Sequence, residues 1–282
     1  MKFTRILFLI LAASLAAGAA AEQPSATADV TKESAERQRG LIDAQVARFP
    51  KEPVSGGRVY FLGFAGVGEE RVFAEEIKLA AKRVGEKYGS SMRSVLLLND
   101  RRDLATQPLA STSSLRYSLL EIARVMNRSE DVLFLALSSH GSRDSTIAVS
   151  NTGMAEQGLS ARTLAELLEE SGIKWRVIVV SACFSGAFVK PLSDDHTIVI
   201  TAASKNRSSF GCSDQRDLTY FGEAFYRDAL PNSPDLRMAF ETARKEIRRR
   251  EKDEEFTPSK PQGYFGALME GKLRTIGQAG AP

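Results

Sequence analysis

Five short, nearly unbroken apolar runs constrain this chain most: RVYFLGF, SVLLLND, DVLFLAL, RVIVVSA and HTIVITAAS, all between residues 58 and 204. A strand with one wet face alternates apolar with polar residues. A strand apolar throughout is covered on both faces, as in parallel sheets, where crossover helices pack on each side. The stretches between the runs carry helical stripes. Phe73, Ile77, Ala80 and Val84 follow the first run; Leu115, Leu119, Ile122 and Met126 follow the second. A third helix is predicted between an N-cap at Ser160 and a stop near Gly172, with Leu164, Leu167 and Leu168 inward. Ser233 and Pro234 suit the N-cap and first position of a later helix. The expectation is an α/β fold with a mostly parallel sheet and helices on both faces.

Residues 1–21 read as a cleaved export signal: Lys2 and Arg5, a short apolar stretch, then Ala19 and Ala21 at a small-residue cleavage site. A secreted or periplasmic location follows as an expectation, without a membrane span after cleavage. Residues 22–56 are polar and read as a surface arm with a helix within TKESAERQRGLIDAQVARF that stops at Pro50. The folded domain is placed at 57–270 and a tail at 271–282, with an edge strand near PQGYFG. Without Lys2 and Arg5 the net charge falls from +3 to about +1, which gives no basis for nucleic-acid binding.

Ligand sites in open parallel sheets lie beyond the carboxyl ends of the strands. DVLFLALSS is followed by His140 and Gly141, and RVIVVSA by Cys183, so one of two histidines and one of two cysteines sit at equivalent ends. A thiol needs a base or a positive field to become a thiolate, and His140 can serve as that base and as the acid for a leaving amine. A short helix after Cys183 would favour the anion by roughly 0.3–1 kcal/mol. The backbone N–H groups of Gly141 and Cys183 are candidate oxyanion donors. Alternatively, Cys183 is a small core residue, or bridges to Cys212 in an oxidising compartment.

FLALSSHGS and VVSACFSG resemble the His-Gly and Ala-Cys-x-Ser-Gly blocks of the legumain-type cysteine peptidases (asparaginyl endopeptidases and GPI-transamidase-like proteins) of the caspase-like fold group. ITAASKNRSSFGCSDQRDLTYFGEAF and GFAGVGEERVF extend the likeness, in order, over about residues 58–266. The resemblance implies a caspase-like three-layer sandwich with Cys183 as nucleophile and His140 as acid/base. It places Arg71, Ser208, Ser209 and Glu223 around the P1 side chain. Those groups suit an asparagine, whose carbonyl accepts from a guanidinium while its NH2 donates to a carboxylate. Cleavage after Asn, and after Asp at acidic pH, is therefore expected of a protein or peptide substrate, with no metal or cofactor. Val72, Ser139, Ser181 and Phe184 depart from the family pattern and bear on P1 preference and pH optimum rather than on the nucleophile. A transamidase using the same two residues, and an inactive peptide-binding domain, are the alternatives.

Other chemistries lack a motif. GFAGVGEER has Arg71 where a dinucleotide loop needs its third glycine, and Glu69 and Glu70 where a pyrophosphate would sit. His140, His196, Cys183 and Cys212 match no zinc-ligand spacing.

Overall fold

The structure, a computed structural model, describes residues 26–50, 57–151, 157–212 and 215–279. The export signal expected at 1–21 lies outside the described residues. In chain order the elements are α1 (Ala26–Val46), β1 (Val59–Ala65), α2 (Arg71–Tyr88), β2 (Ser94–Leu98), α3 (Thr112–Val125) and β3 (Val132–Ser138). Then come β4 (Thr146–Val149), β5 (Gln157–Ser160), α4 (Ala161–Ser171), β6 (Trp175–Ser181), a 3-10 turn (Ser185–Phe188), α5 (Val189–Leu192) and β7 (Thr197–Thr201). A helical segment follows: α6 (Tyr220–Gly222), a π-helical stretch (Glu223–Ala229) and α7 (Leu230–Asn232). The chain ends with α8 (Leu236–Asp253), β8 (Gln262–Phe265) and α9 (Ala267–Ala279). Among the described residues no helix is long and apolar enough to cross a membrane.

The five apolar runs become β1, β2, β3, β6 and β7, all parallel, in a six-stranded sheet of order β2-β1-β3-β6-β7-β8, with β8 antiparallel at the edge. Side chains alternate across this sheet, so each strand feeds two cores. Phe61, Phe134, Val177, Val179, Ile198 and Ile200 pack with α2, α8 and α9 on one face. Leu62, Leu133, Leu135, Ile178, Val180 and Val199 pack with α3 and α4 on the other. The three-layer α/β sandwich is therefore the predicted one. Because β2 lies on one side of β1 and β3 on the other, the chain changes winding direction between β1 and β3. A crevice opens at the carboxyl ends of such a pair.

Several elements differ from the sequence expectation. From Gln38 onward the N-terminal helix is not a surface arm. Ile42, Val46 and Phe49 are buried with Tyr60 and Leu62, and Gln45 Oε1 accepts from Leu96 N–H on the edge strand at 2.8 Å. Helix α8 starts two residues later than predicted: Asp235 is the N-cap and accepts from Met238 N–H at 2.8 Å. The Ser233 carbonyl instead accepts from Lys87 Nζ at 2.6 Å. The turn-rich excursion after β3 folds as the antiparallel β4–β5 hairpin, and most of the predicted tail is α9, with Met269, Leu273 and Ile276 in the core.

Leu135, at the centre of β3 and fully buried, tests how firmly the sheet is packed. Leu135→Ala should lower unfolding free energy by about 2–5 kcal/mol. In urea titration the midpoint should fall with little change in slope.

Candidate active site

The β3–β6 register pairs Ser138 with Ser181, so His140 and Cys183, each two residues further on, leave adjacent strands at the same height. The ladder continues one step past the strands, with Ser139 N–H donating to Ser181 O at 3.2 Å. Ser139 Oγ donates to Ala148 O at 2.6 Å, tying the β3 end to the hairpin. Gly141 then crosses so close to Cys183 that any Cβ at Gly141 would overlap the Cys183 carbonyl oxygen. Its bridge to Ile147 runs through the flanking groups: Ala148 N–H to His140 O at 2.9 Å, and Ser142 N–H to Thr146 O at 3.0 Å. The N–H of Gly141 itself therefore lies on the edge away from the hairpin.

Cys183 is half-buried and unbridged. Ser209 N–H donates to its Sγ at 3.3 Å, and Ser209 Oγ lies 3.7 Å from the sulfur. The next residue, Phe184, has φ 56°, a left-handed conformation that a bulky residue adopts at a cost of about 1–2 kcal/mol. Two contacts hold it there. Phe184 N–H donates to Arg207 O at 2.8 Å, and the Arg143 guanidinium sits over its ring at 4.9 Å. The helix expected directly after Cys183 is one 3-10 turn followed by the four-residue α5.

His140 is positioned by α2. Glu70, the N-cap residue of that helix, places Oε1 3.1 Å from His140 Nε2, and Phe73 meets the imidazole edge-on at 5.0 Å between centroids. An ionised carboxylate only accepts, so Nε2 carries the proton in this pair and Nδ1 keeps a lone pair. The loop that delivers Glu70 is pinned at several points. Gly66 N–H donates to Ser138 O at 3.0 Å and Gly68 N–H to Ser150 O at 3.1 Å. The buried Asn99 side chain donates to Gly66 O at 2.8 Å. Sequence reading had used Glu70 only to exclude a phosphate site. Its role beside His140 emerges from the pairing of β1 with β3.

The residues expected around the P1 side chain divide. Ser209 touches Cys183, and Ser208 is the exposed residue before it. Arg71, first residue of α2 and neighbour of Glu70, reaches Asp217 Oδ1 at 2.5 Å. Glu223 has other partners than a substrate amide: Arg216 and Arg250 bind its Oε2 at 2.6 Å each, and Arg227 binds Oε1 at 2.9 Å. With both oxygens held by guanidiniums, it anchors α8 and the 216 loop to the π-helical stretch.

A different carboxyl lies under the strand ends. Glu76, one turn along α2 from Phe73, is fully buried, and its Oε2 accepts from Thr219 Oγ1 at 2.5 Å. Burial raises its carboxyl above the ordinary range, against the lowering effect of the Ser181, Thr219 and Ser138 groups around it. Cys212 is also near. Burial, with the Cys183 sulfur and Glu76 close by, pushes its thiol up to about 12, so Cys212 stays protonated at neutral pH. Neither cysteine is in a disulfide.

A half-buried thiol and a carboxylate-held imidazole that leave adjacent strands at the same height, at the winding-reversal end of a parallel sheet, are the parts needed for thiol acyl transfer. No curated protein matches the chain. The model of the Peptidase C13 family matches residues 117–271, which include His140, Cys183, Ser209 and Thr219. The chain belongs to that family, the legumain-type cysteine peptidases that its His-Gly and Ala-Cys-x-Ser-Gly blocks resemble.

Proposed function

We propose that the protein is an exported cysteine endopeptidase that cleaves after Asn, and after Asp when that residue is protonated. The observation that carries the reading is the shared height of His140 and Cys183 on adjacent strands, with Glu70 holding the imidazole through Nε2. His140 Nδ1 takes the Cys183 proton as Sγ attacks the scissile carbonyl carbon, and negative charge develops on the carbonyl oxygen. The N–H groups of Gly141 and Cys183 are assigned to that oxygen. Collapse breaks the C–N bond while the imidazolium gives its proton to the leaving amine, and a thioester on Cys183 remains. Water, deprotonated by His140, adds to the thioester; the C–S bond breaks, the acid leaves and the thiolate is reprotonated. Arg71, Ser208 and Ser209 line the approach of the P1 side chain. Glu223, bound by three arginines, takes no part in that contact.

In this scheme Glu70 is a positioning residue, acting through the imidazole. An amine in place of water at the thioester gives the transamidase outcome, and product analysis with an added amine distinguishes the two.

The mature protein under reducing conditions should release the reporter from an Ala-Ala-Asn substrate, and Cys183→Ala should abolish release. Unchanged turnover in that variant would remove Cys183 as nucleophile. Glu70→Gln should lower kcat by roughly 10- to 100-fold, a part of what general acid–base catalysis contributes. KM should change little, and Glu70→Asp should recover part of the rate. A loss of rate that only follows the loss of folded protein would make Glu70 structural only.

A further inference from the structure

Helix α2 presents three side chains, three residues apart, toward the carboxyl ends of β3 and β6. Glu70 holds His140, Phe73 packs on its ring, and Glu76 lies below, beside Ser138 and Ser181. The first two orient the imidazole. The third has no part in the chemistry above, yet it is a fully buried carboxyl, a placement that proteins support only with good compensation.

That compensation is half complete. Oε2 is bound by Thr219 and packed against Gly222, where any Cβ would overlap it. Neither Oε1 nor the Ser138 hydroxyl beside it makes a well-formed hydrogen bond, although the Ser138 and Ser181 hydroxyls stand close enough to lower the carboxyl. Native interiors leave few such atoms. Here two occur together, one on α2 and the other on Ser138, two residues before His140, with Ser181 and Thr219 completing a polar floor that a 3.4 Å contact joins. Cys212 is close enough to both Cys183 and Glu76 for each to raise its thiol, after burial, which raises it most.

We propose that Glu76 is the specificity-determining acid at the floor of the P1 pocket, its Oε1 and the Ser138 hydroxyl pairing with the carboxamide of a substrate asparagine. The proposal rests on the peptidase reading and replaces Glu223 in the pocket. A protonated Oε1 donates to the asparagine carbonyl oxygen, and Ser138 Oγ accepts from its NH2, so both orphaned atoms and both ends of the amide are satisfied together. A substrate lacking the carboxamide leaves them unpaired, the condition under which buried polar sites discriminate most strongly. An ionised aspartate would bring an uncompensated charge against a carboxyl. Thr219 fixes which oxygen is free, and Gly222 allows the carboxyl to sit that deep.

The titratable groups that face Glu76 are Cys212 and Tyr226, with Glu70 further toward solvent. Burial keeps the Cys212 thiol and the Tyr226 phenol protonated through neutral pH, so the acid itself is what titrates on this floor. As pH rises through the elevated range of Glu76, its ionised form repels a P1 carboxylate while still accepting from a P1 NH2.

The test compares wild type, Glu76→Gln, Glu76→Leu and Glu223→Gln on Ala-Ala-Asn and Ala-Ala-Asp reporters from pH 4 to 8. Iodoacetamide alkylation of Cys183 and thermal melting are measured alongside. In wild type the Asn/Asp ratio should keep climbing above the range in which the substrate's own carboxyl ionises, as Glu76 ionises in turn. In Glu76→Gln it should level off once the substrate's own carboxyl is ionised, roughly above pH 5, with Asn turnover retained. Glu76→Leu should lower kcat/KM for Asn about 10- to 100-fold at an unchanged alkylation rate. Glu223→Gln should leave the ratio as in wild type and lower the melting temperature. If the ratio in Glu76→Gln follows wild type at every pH, or if Glu76→Leu slows alkylation in step with turnover, Glu76 is a structural residue and the proposal fails. Wild type that is alkylated at Cys183 but turns over neither reporter would instead overturn the peptidase reading itself.

Discussion

The pairing of β3 with β6 is the constraint on which the site depends. β3 is buried along its whole length and β6 from Val177 onward, so a one-residue slip of either would exchange its contributions to the two cores. Leu133, Leu135 and Leu137 would turn toward α2, and Phe134 and Ala136 toward α4. Such a slip is disfavoured over the whole length of the strand, and the register at its end is correspondingly firm. Ser138 opposite Ser181 then places His140 and Cys183 without any contribution from the flexibility of a loop. His140 and Cys183 stand two steps past the paired serines, where the backbone is still bonded to its neighbour.

Helix α2 provides the second fixed element. It crosses from β1 to β2 on the face opposite α3, and its amino end meets the strand ends at the crevice between β1 and β3. Because the 66–70 loop is held by Ser138, Ser150 and Asn99, the first turn of α2 cannot move independently of the sheet. Spacing by three residues distributes one helix stripe over three depths: Glu70 at the rim, Phe73 against the imidazole, Glu76 inside. The same geometry that orients His140 thus buries a carboxyl beneath it. Thr219, capping α6 through its bond to Gly222 N–H at 2.9 Å, meets that carboxyl from the other side and ties the helical wall to the sheet.

The strands and crossover helices were legible because their signal is local: continuous apolar runs for the sheet, period-3.6 stripes for α2, α3 and α4. His140 and Cys183 were legible because strand ends can be located from the same runs. What escaped depended on side-chain partners distant in sequence. The N-terminal helix is so polar that Ile42, Val46 and Phe49 gave too sparse a stripe to reveal its docking, which is set by the exposed edge of β2. Glu223 sits in a Gly-acid pair that resembles a pocket segment. Its fate is decided by Arg216, Arg227 and Arg250, two of them on its own helical segment or on α8. Glu76 looked like one more polar position in an amphipathic helix, since nothing in its neighbours announces that Gly222 leaves a space for it.

The two cysteines show how environment, rather than residue type, separates reactive from inert thiols. Both are half-buried and both contact the 208–212 segment. Cys183 sits at a strand end where a backbone N–H from Ser209 points at the sulfur. Cys212 packs against the apolar core on the α2 face, and its thiol is raised to about 12 by burial and by the neighbouring Cys183 and Glu76. A charge on one sulfur therefore opposes a charge on the other. A thiolate is the attacking species in disulfide exchange, so a Cys212 thiol kept protonated by burial is a poor partner for such exchange at neutral pH.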